Sequence, residues 1–126
     1  MKITITIGSL SMDAELNDTT TARLVGKALP FTTRFATWGD EIYFSIPVDS
    51  TLDDSAKEIV EMGDLGYWPS GKAFCIFFGP TPMSGHPGEI VPASAVNIIG
   101  KVLGDPKLFK EVMDKGEVRV EAAGSR

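Results

Sequence analysis

Ala73-Phe74-Cys75-Ile76-Phe77-Phe78 is apolar at every position. A strand with one wet face alternates polar and apolar residues, so an unbroken apolar run has both faces covered. One face can line a core. The other then needs a cover: a helix, a loop or a bound partner. The chain leaves this run through Gly79, Pro80, Pro82, Gly85, Pro87, Gly88 and Pro92, a long Gly/Pro loop over residues 79–93. Long loops in compact domains are frequent carriers of function.

Outward from that centre, alternation takes over. Ile3, Ile5 and Ile7 share one face of residues 2–7, with Lys2, Thr4 and Thr6 on the other. Leu10, Met12, Ala14 and Leu16 repeat the pattern after a Gly8-Ser9 turn, which predicts an opening hairpin. Ile42, Phe44 and Ile46 share one face of residues 41–46, with Glu41, Tyr43 and Ser45 on the other. Residues 32–37 read as a strand before a Trp38-Gly39-Asp40 turn, and residues 95–103 and 118 onward read as two more. Residues 49–56 are a polar connection; 57–61 could be a short strand or a helical turn.

Two helices interrupt the strands. Asn17-Asp18-Thr19 offers caps for a helix over 20–29, with Ala22, Val25 and Leu29, and with them Leu24 and Ala28, on its buried stripe. Pro30 ends it. Asp105-Pro106 opens a second helix, with Leu108, Phe109, Val112 and Met113 inward and Gly116 as its stop. About seven or eight short strands with only two helices predict a mainly β fold, a closed antiparallel barrel, over a single domain of residues 1–123. Residues 124–126 read as a loose tail.

Composition narrows the function classes. The chain has 126 residues, a net charge of −5 and a pI near 4.8. An acidic surface repels phosphate backbones and anionic lipid, so neither nucleic acid nor membrane is an expected partner. The one cysteine, Cys75, excludes an internal disulfide and a cysteine-based zinc site. No apolar stretch is long enough for a membrane helix and the N-terminus alternates, so the expected location is the cytoplasm.

Chemistry-bearing motifs are scarce. His86 is the only histidine, which leaves no metal-ligand set and no expected metal or other cofactor. Ser84-Gly85-His86 is not a triad, and no nucleophile elbow exists. Gly63-Asp64-Leu65-Gly66 and Gly100 to Gly104 read as turn glycines rather than phosphate cradles. No catalytic residue is assigned. What remains is a concentration of aromatic rings. Tyr67-Trp68-Pro69 and Trp38-Gly39 are read at turns, where a large ring is hard to bury. Arg34 is the one cation near them; its ordinary role would be to pair with Asp40 or Glu41. The candidate ligand groove is therefore Arg34, Trp38, Tyr67, Trp68, Phe77 and Met83, suited to a small molecule or a peptide segment.

The segments Thr37 to Phe44, Gly63 to Phe74, Gly79 to Ser84 and Pro92 to Val102 resemble a small prokaryotic family of uncharacterised cyclophilin-like domains. The resemblance spans nearly the whole chain. It implies an eight-stranded antiparallel barrel with two capping helices. Similarity to true cyclophilins is more distant: Gly71 to Ile76 is similar to their Gly-Ser-Gln-Phe-Phe-Ile strand, and Val96 to Val102 to their late strand ending Gly-Lys-Val. On that matching Ala73 stands at the strand glutamine, Cys75 at a pocket phenylalanine and Val96 at the histidine, while the loop tryptophan falls near Val91. The essential arginine would come from 32–37, at Arg34 or Thr37. Most of the prolyl-isomerase constellation is thus missing, and little is left to stabilise a twisted amide against a barrier of about 20 kcal/mol.

The expectation is a module that binds a small ligand, a peptide or a partner protein. The alternatives are a divergent peptidyl-prolyl isomerase and an enzyme acting on another metabolite. The last would need a cysteine or carboxylate of shifted pKa in the groove. The 73–78 run leaves a homodimer open.

Overall fold

The computed structural model describes residues 1–86 and 88–124. Pro87 of the Gly/Pro loop and Ser125 and Arg126 of the expected tail lie outside the described residues.

Strands β1 (Lys2–Ile7) and β2 (Leu10–Leu16) form the opening hairpin in the register Ile5↔Met12. Their alternation is obeyed: Ile3, Ile5, Ile7, Met12, Ala14 and Leu16 are all buried. Helix α1 (Thr20–Ala28) begins where Thr19 Oγ1 accepts the Ala22 amide, and buries Thr21, Ala22 and Val25. Leu24, read with the buried stripe, faces solvent instead.

The segment read as one strand over 32–37 is two short ones, β3 (Phe31–Arg34) and β4 (Ala36–Thr37). The break falls at Phe35, whose N–H donates to the Gly116 carbonyl at 2.9 Å. This break decides the architecture. β3 pairs with β10 (Glu117–Ala122), whereas β4 pairs with β5 (Glu41–Ser45). Those are the two ends of the rest of the sheet. Around the ring the order is β3, β10, β1, β2, β9 (Val96–Val102), β7 (Asp64–Trp68), β8 (Ala73–Phe77), β5, β4. With β3 and β4 as two halves of one stave, the sheet is an antiparallel barrel of eight staves. Closure removes the exposed edges an open sheet would leave. A two-residue strand, β6 (Ala56–Lys57), adds outside the ring against β9, which settles part of the ambiguous 57–61 stretch.

Two expectations need correction. Asp64–Trp68 is a strand, not a turn followed by a turn. Gly66 sits mid-strand because a Cβ there would lie 3.0 Å from Val96 and 3.1 Å from Phe77, so the position needs glycine for space. The second helix, Pro106–Val112, has 3-10 rather than α geometry. Its Asp105 cap and its buried Phe109 and Val112 are as expected, but Leu108 is exposed.

The sheet separates two apolar clusters. Inside, Phe44 and Phe74 stack at 5.0 Å between ring centres amid the residues of β1, β2, β5, β9 and β10. Outside lies a smaller cluster of Val60, Ala73, Cys75, Phe77, Ile90 and Val96. Strand β8 feeds both: Phe74 and Ile76 point in; Ala73, Cys75 and Phe77 point out. The outer cover is the chain's own. Residues 56–62 and the Gly/Pro loop lie over β8, joined by a Val60↔Ile90 bridge.

Candidate functional site

That cover is incomplete, and the gap is a cleft of about 130 Å³, open to solvent on one side. Glu41, Tyr43 and Cys75 form its floor. Trp38 and Trp68 flank it, and Val96 lies behind them. Pro92 and Ala93 of the Gly/Pro loop complete the wall.

Each part has a local cause. Strand parity puts Glu41 and Tyr43 on the outer face of β5. Tyr43 sits opposite Cys75, and Glu41 is diagonal to it. Trp38 starts the turn into β5, closed by its N–H to the Glu41 carbonyl at 2.9 Å. Gly39 permits that turn with φ of 59°, and any side chain there would strike the Pro80 carbonyl. The Asp40 amide in turn donates to Pro80 O, which ties the turn to the loop. Trp68 ends β7. Its indole N–H donates to Ser94 Oγ at 2.7 Å, and its ring lies over Gly71. The loop wall is pinned from within. Ser84 Oγ accepts from the Thr81 amide at 3.0 Å and from the Val91 amide at 3.2 Å, and Thr81 Oγ1 donates to the Val91 carbonyl.

The electrostatics are one-sided. Glu41 is only 6% exposed. Apart from the Cys75 thiol, its carboxyl has no polar side-chain partner among the described residues, and it opens on the cleft. Burial lifts its pKa from 4.5 to about 7, partly offset by the thiol as a weak donor. Burial and the neighbouring carboxyl push the Cys75 thiol well up, and its Sγ lies 3.8 Å from the Ala73 carbonyl. Cys75 is therefore a protonated, weakly nucleophilic neighbour rather than a thiolate. Among the described residues no lysine or arginine lines the cleft.

The structure brings together two of the six groove residues expected from sequence, Trp38 and Trp68. Tyr67 is wholly buried in the barrel, its hydroxyl donating to Val48 O at 2.6 Å and accepting the Ser50 amide at 3.2 Å. Phe77 is wholly buried beneath the cover. Met83 is 56% exposed on the loop and does not line the cleft. Arg34 is exposed on β3, its guanidinium over Gly116, and neither Asp40 nor Glu41 is its partner. Lys110 takes Asp40 at 3.3 Å. Glu41 was missed by sequence reading: alternation sets it on the face opposite Ile42 and Phe44, and that face lies under the loop.

Comparison with known proteins fits this architecture. A family model described as Cyclophilin-like matches residues 1–121. The chain belongs to the cyclophilin-like family. Among solved structures it is similar to the hypothetical protein AF2241 from Archaeoglobus fulgidus. The two share 40% identity with a TM-score of 0.82, over 98% of this chain and 95% of that one. It is also similar to McbB, determined in complex with tryptophan, with a TM-score of 0.72 over 98% of this chain and 45% of that one. At 14% identity that second likeness concerns the fold alone. None of the curated proteins matches. Within this cyclophilin-like domain, Cys75 and Val96, matched by sequence to the phenylalanine and histidine of the isomerase pocket, both face the cleft. Arg34, the candidate for its arginine, does not.

Among the described residues no helix is long and apolar enough to cross a membrane.

Proposed function

We propose that this cyclophilin-like domain is a binding module for a compact, mostly apolar small molecule, held in the Trp38–Trp68 cleft with Glu41 as its polar anchor. The observation that carries this reading is a buried carboxyl at the base of an aromatic cleft, with only the weak Cys75 thiol as a side-chain partner among the described residues. Burying an unpaired acid is costly, so a role outside packing is the economical explanation. An apolar pocket with one or two placed polar groups is also the common form of a ligand site. Prolyl isomerisation is disfavoured, because a twisted amide would meet an acid here and no guanidinium. In the same reading the protein works in the cytoplasm, and its charge of −5 keeps it from nucleic acid and anionic membranes. The loop already covers the outer face of β8, so that run needs no second copy of the chain.

The domain has two tryptophans, and both flank the cleft. A fragment library can therefore be titrated by intrinsic fluorescence, with amide NMR shifts as the map. Saturable changes centred on Trp38, Glu41, Tyr43 and Trp68 are expected, with loss of binding in Trp68→Ala. Shifts that map elsewhere, or none, would reject the reading. Exchange spectroscopy on X–Pro peptides should show no catalysis. Catalysis abolished by Arg34→Ala would make this a divergent isomerase instead.

A further inference from the structure

We infer that the cleft selects a primary ammonium carried on a compact apolar or aromatic body, with the Glu41 carboxylate as its counter-ion and the indoles of Trp38 and Trp68 as its walls. This rests on the binding reading above and narrows it to one class of ligand.

Three observations converge. First, Glu41 is more than nine-tenths buried and has no cation beside it among the described residues, so the site has an unmatched negative charge once that acid ionises. Second, the walls are indole rings, the side chains best suited to a cation. Indole attracts an ammonium-type charge through its quadrupole, more so where water is excluded. The Trp68 indole N–H is already committed to Ser94, so it is not free to bind a carboxylate or carbonyl ligand. Third, no positive side chain among the described residues lines the cleft and the whole domain is acidic, so an anionic ligand would meet repulsion and a cationic one attraction. A neutral ligand brings at most a hydrogen bond and no opposite charge to the ionised acid.

The groups facing Glu41 fix the pH response. Tyr43 lies on its own strand and Cys75 on β8. Strands β7 and β9 and the loop wall present Trp68, Val96, Pro92 and Ala93, none of which titrates. Its chain neighbour Asp40 is held by Lys110. Glu41 is therefore the group that changes charge near neutrality, with desolvation as the main cause. Below that range the acid is protonated and the ammonium loses its counter-ion. Above it the pair forms, until the amine itself deprotonates.

The test uses isosteric pairs: 2-phenylethylamine against 2-phenylethanol, and tryptamine against tryptophol. Dissociation constants are read by tryptophan fluorescence and NMR at pH 5.5 and pH 8. A charge-assisted hydrogen bond of about 1.5–3 kcal/mol corresponds to a preference of about ten-fold or more. At pH 8 each amine should bind at least that much tighter than its alcohol. The ratio should fall towards one at pH 5.5, and in Glu41→Gln at either pH. Should that variant not fold, the pH dependence of the ratio in the unmodified protein decides alone. Equal binding of amine and alcohol at pH 8 would overturn the ammonium inference while leaving a binding cleft intact. Absence of binding by all four compounds, and by the wider fragment library, would overturn both.

Discussion

Glu41 is an acid whose folded-state pKa, about 7, lies above its ordinary 4.5 because burial disfavours the charged form. The folded protein therefore holds its proton more tightly than the unfolded chain does. The associated stability is fully present below about pH 4.5 and is lost as pH rises through 7. The loss is on the order of 3 kcal/mol. Glu41→Gln, which cannot ionise, should be about as stable as the parent at pH 5 and more stable at pH 8, by roughly 2–3 kcal/mol. Denaturant melts at the two pH values check this; a gap that does not widen with pH would contradict it. Tyr67 poses the opposite case, a buried polar group fully paired. Tyr67→Phe leaves the Val48 carbonyl and the Ser50 amide without their partner. It should lower stability by about 1–3 kcal/mol in the same melts, with the fold retained.

At the scale of elements, the polar connection 49–55 is held by Tyr67, Thr21 and, through two of its backbone groups, Asn97. Asn97 on β9 is fully buried. Its Oδ1 accepts the Asp53 amide at 2.8 Å, and its Nδ2 donates to Thr51 O at 2.9 Å and to Thr21 Oγ1 at 3.0 Å. It thereby joins a loop, a strand and helix α1. Asn97→Ala should cost roughly 2–4 kcal/mol and raise amide exchange across 50–56 beyond the global effect. Exchange rates unchanged in that loop relative to the rest would show that Asn97 is not its anchor.

Elements with two unlike faces were legible in the sequence. Lys2–Ile7, Leu10–Leu16 and Glu41–Ser45 alternate because one side meets the barrel interior and the other does not. Strand β7 was not, because both its sides are covered: Leu65 and Tyr67 face in, Gly66 faces the outer cluster, and no alternation survives. Gly66, with Gly63 just ahead of the strand, then looked like a turn residue. The second helix carried the right cap and stop, but those signals serve 3-10 and α geometry alike. In the site, Trp38 and Trp68 could be found as rings beside turns. Glu41 could not, because its burial depends on where a loop some forty residues later comes to rest. Tyr67 shares the aromatic character of Trp68 and is its chain neighbour, yet points to the opposite face.

For the whole molecule, the governing feature is closure by residues 31–37. Each half of that segment completes one seam, so releasing it opens the ring on both sides. Unfolding should therefore be a single event. Far-ultraviolet circular dichroism reports the strands and tryptophan fluorescence the cleft, and the two melting curves should coincide. An earlier fluorescence transition would mean that the outer cluster and its loop come apart before the barrel does. Pairings between distant parts of the chain, such as β1 with β10 and β2 with β9, also predict folding in the millisecond-to-second range typical of barrels.

The sheet between the two clusters acts as a partition with different tenants on each side. Phe74 and Ile76 belong to the barrel, and Cys75 and Phe77, their immediate chain neighbours, belong to the cleft and its cover. Inheritance can act on the two sides separately. Side chains around Trp38, Glu41 and Trp68 can be exchanged over generations, and the loop above them redrawn, while Ile5, Phe44 and Val120 keep the scaffold standing. One lineage of barrels can in this way come to serve unrelated ligands, each descendant altering its outer wall and leaving the interior as it was.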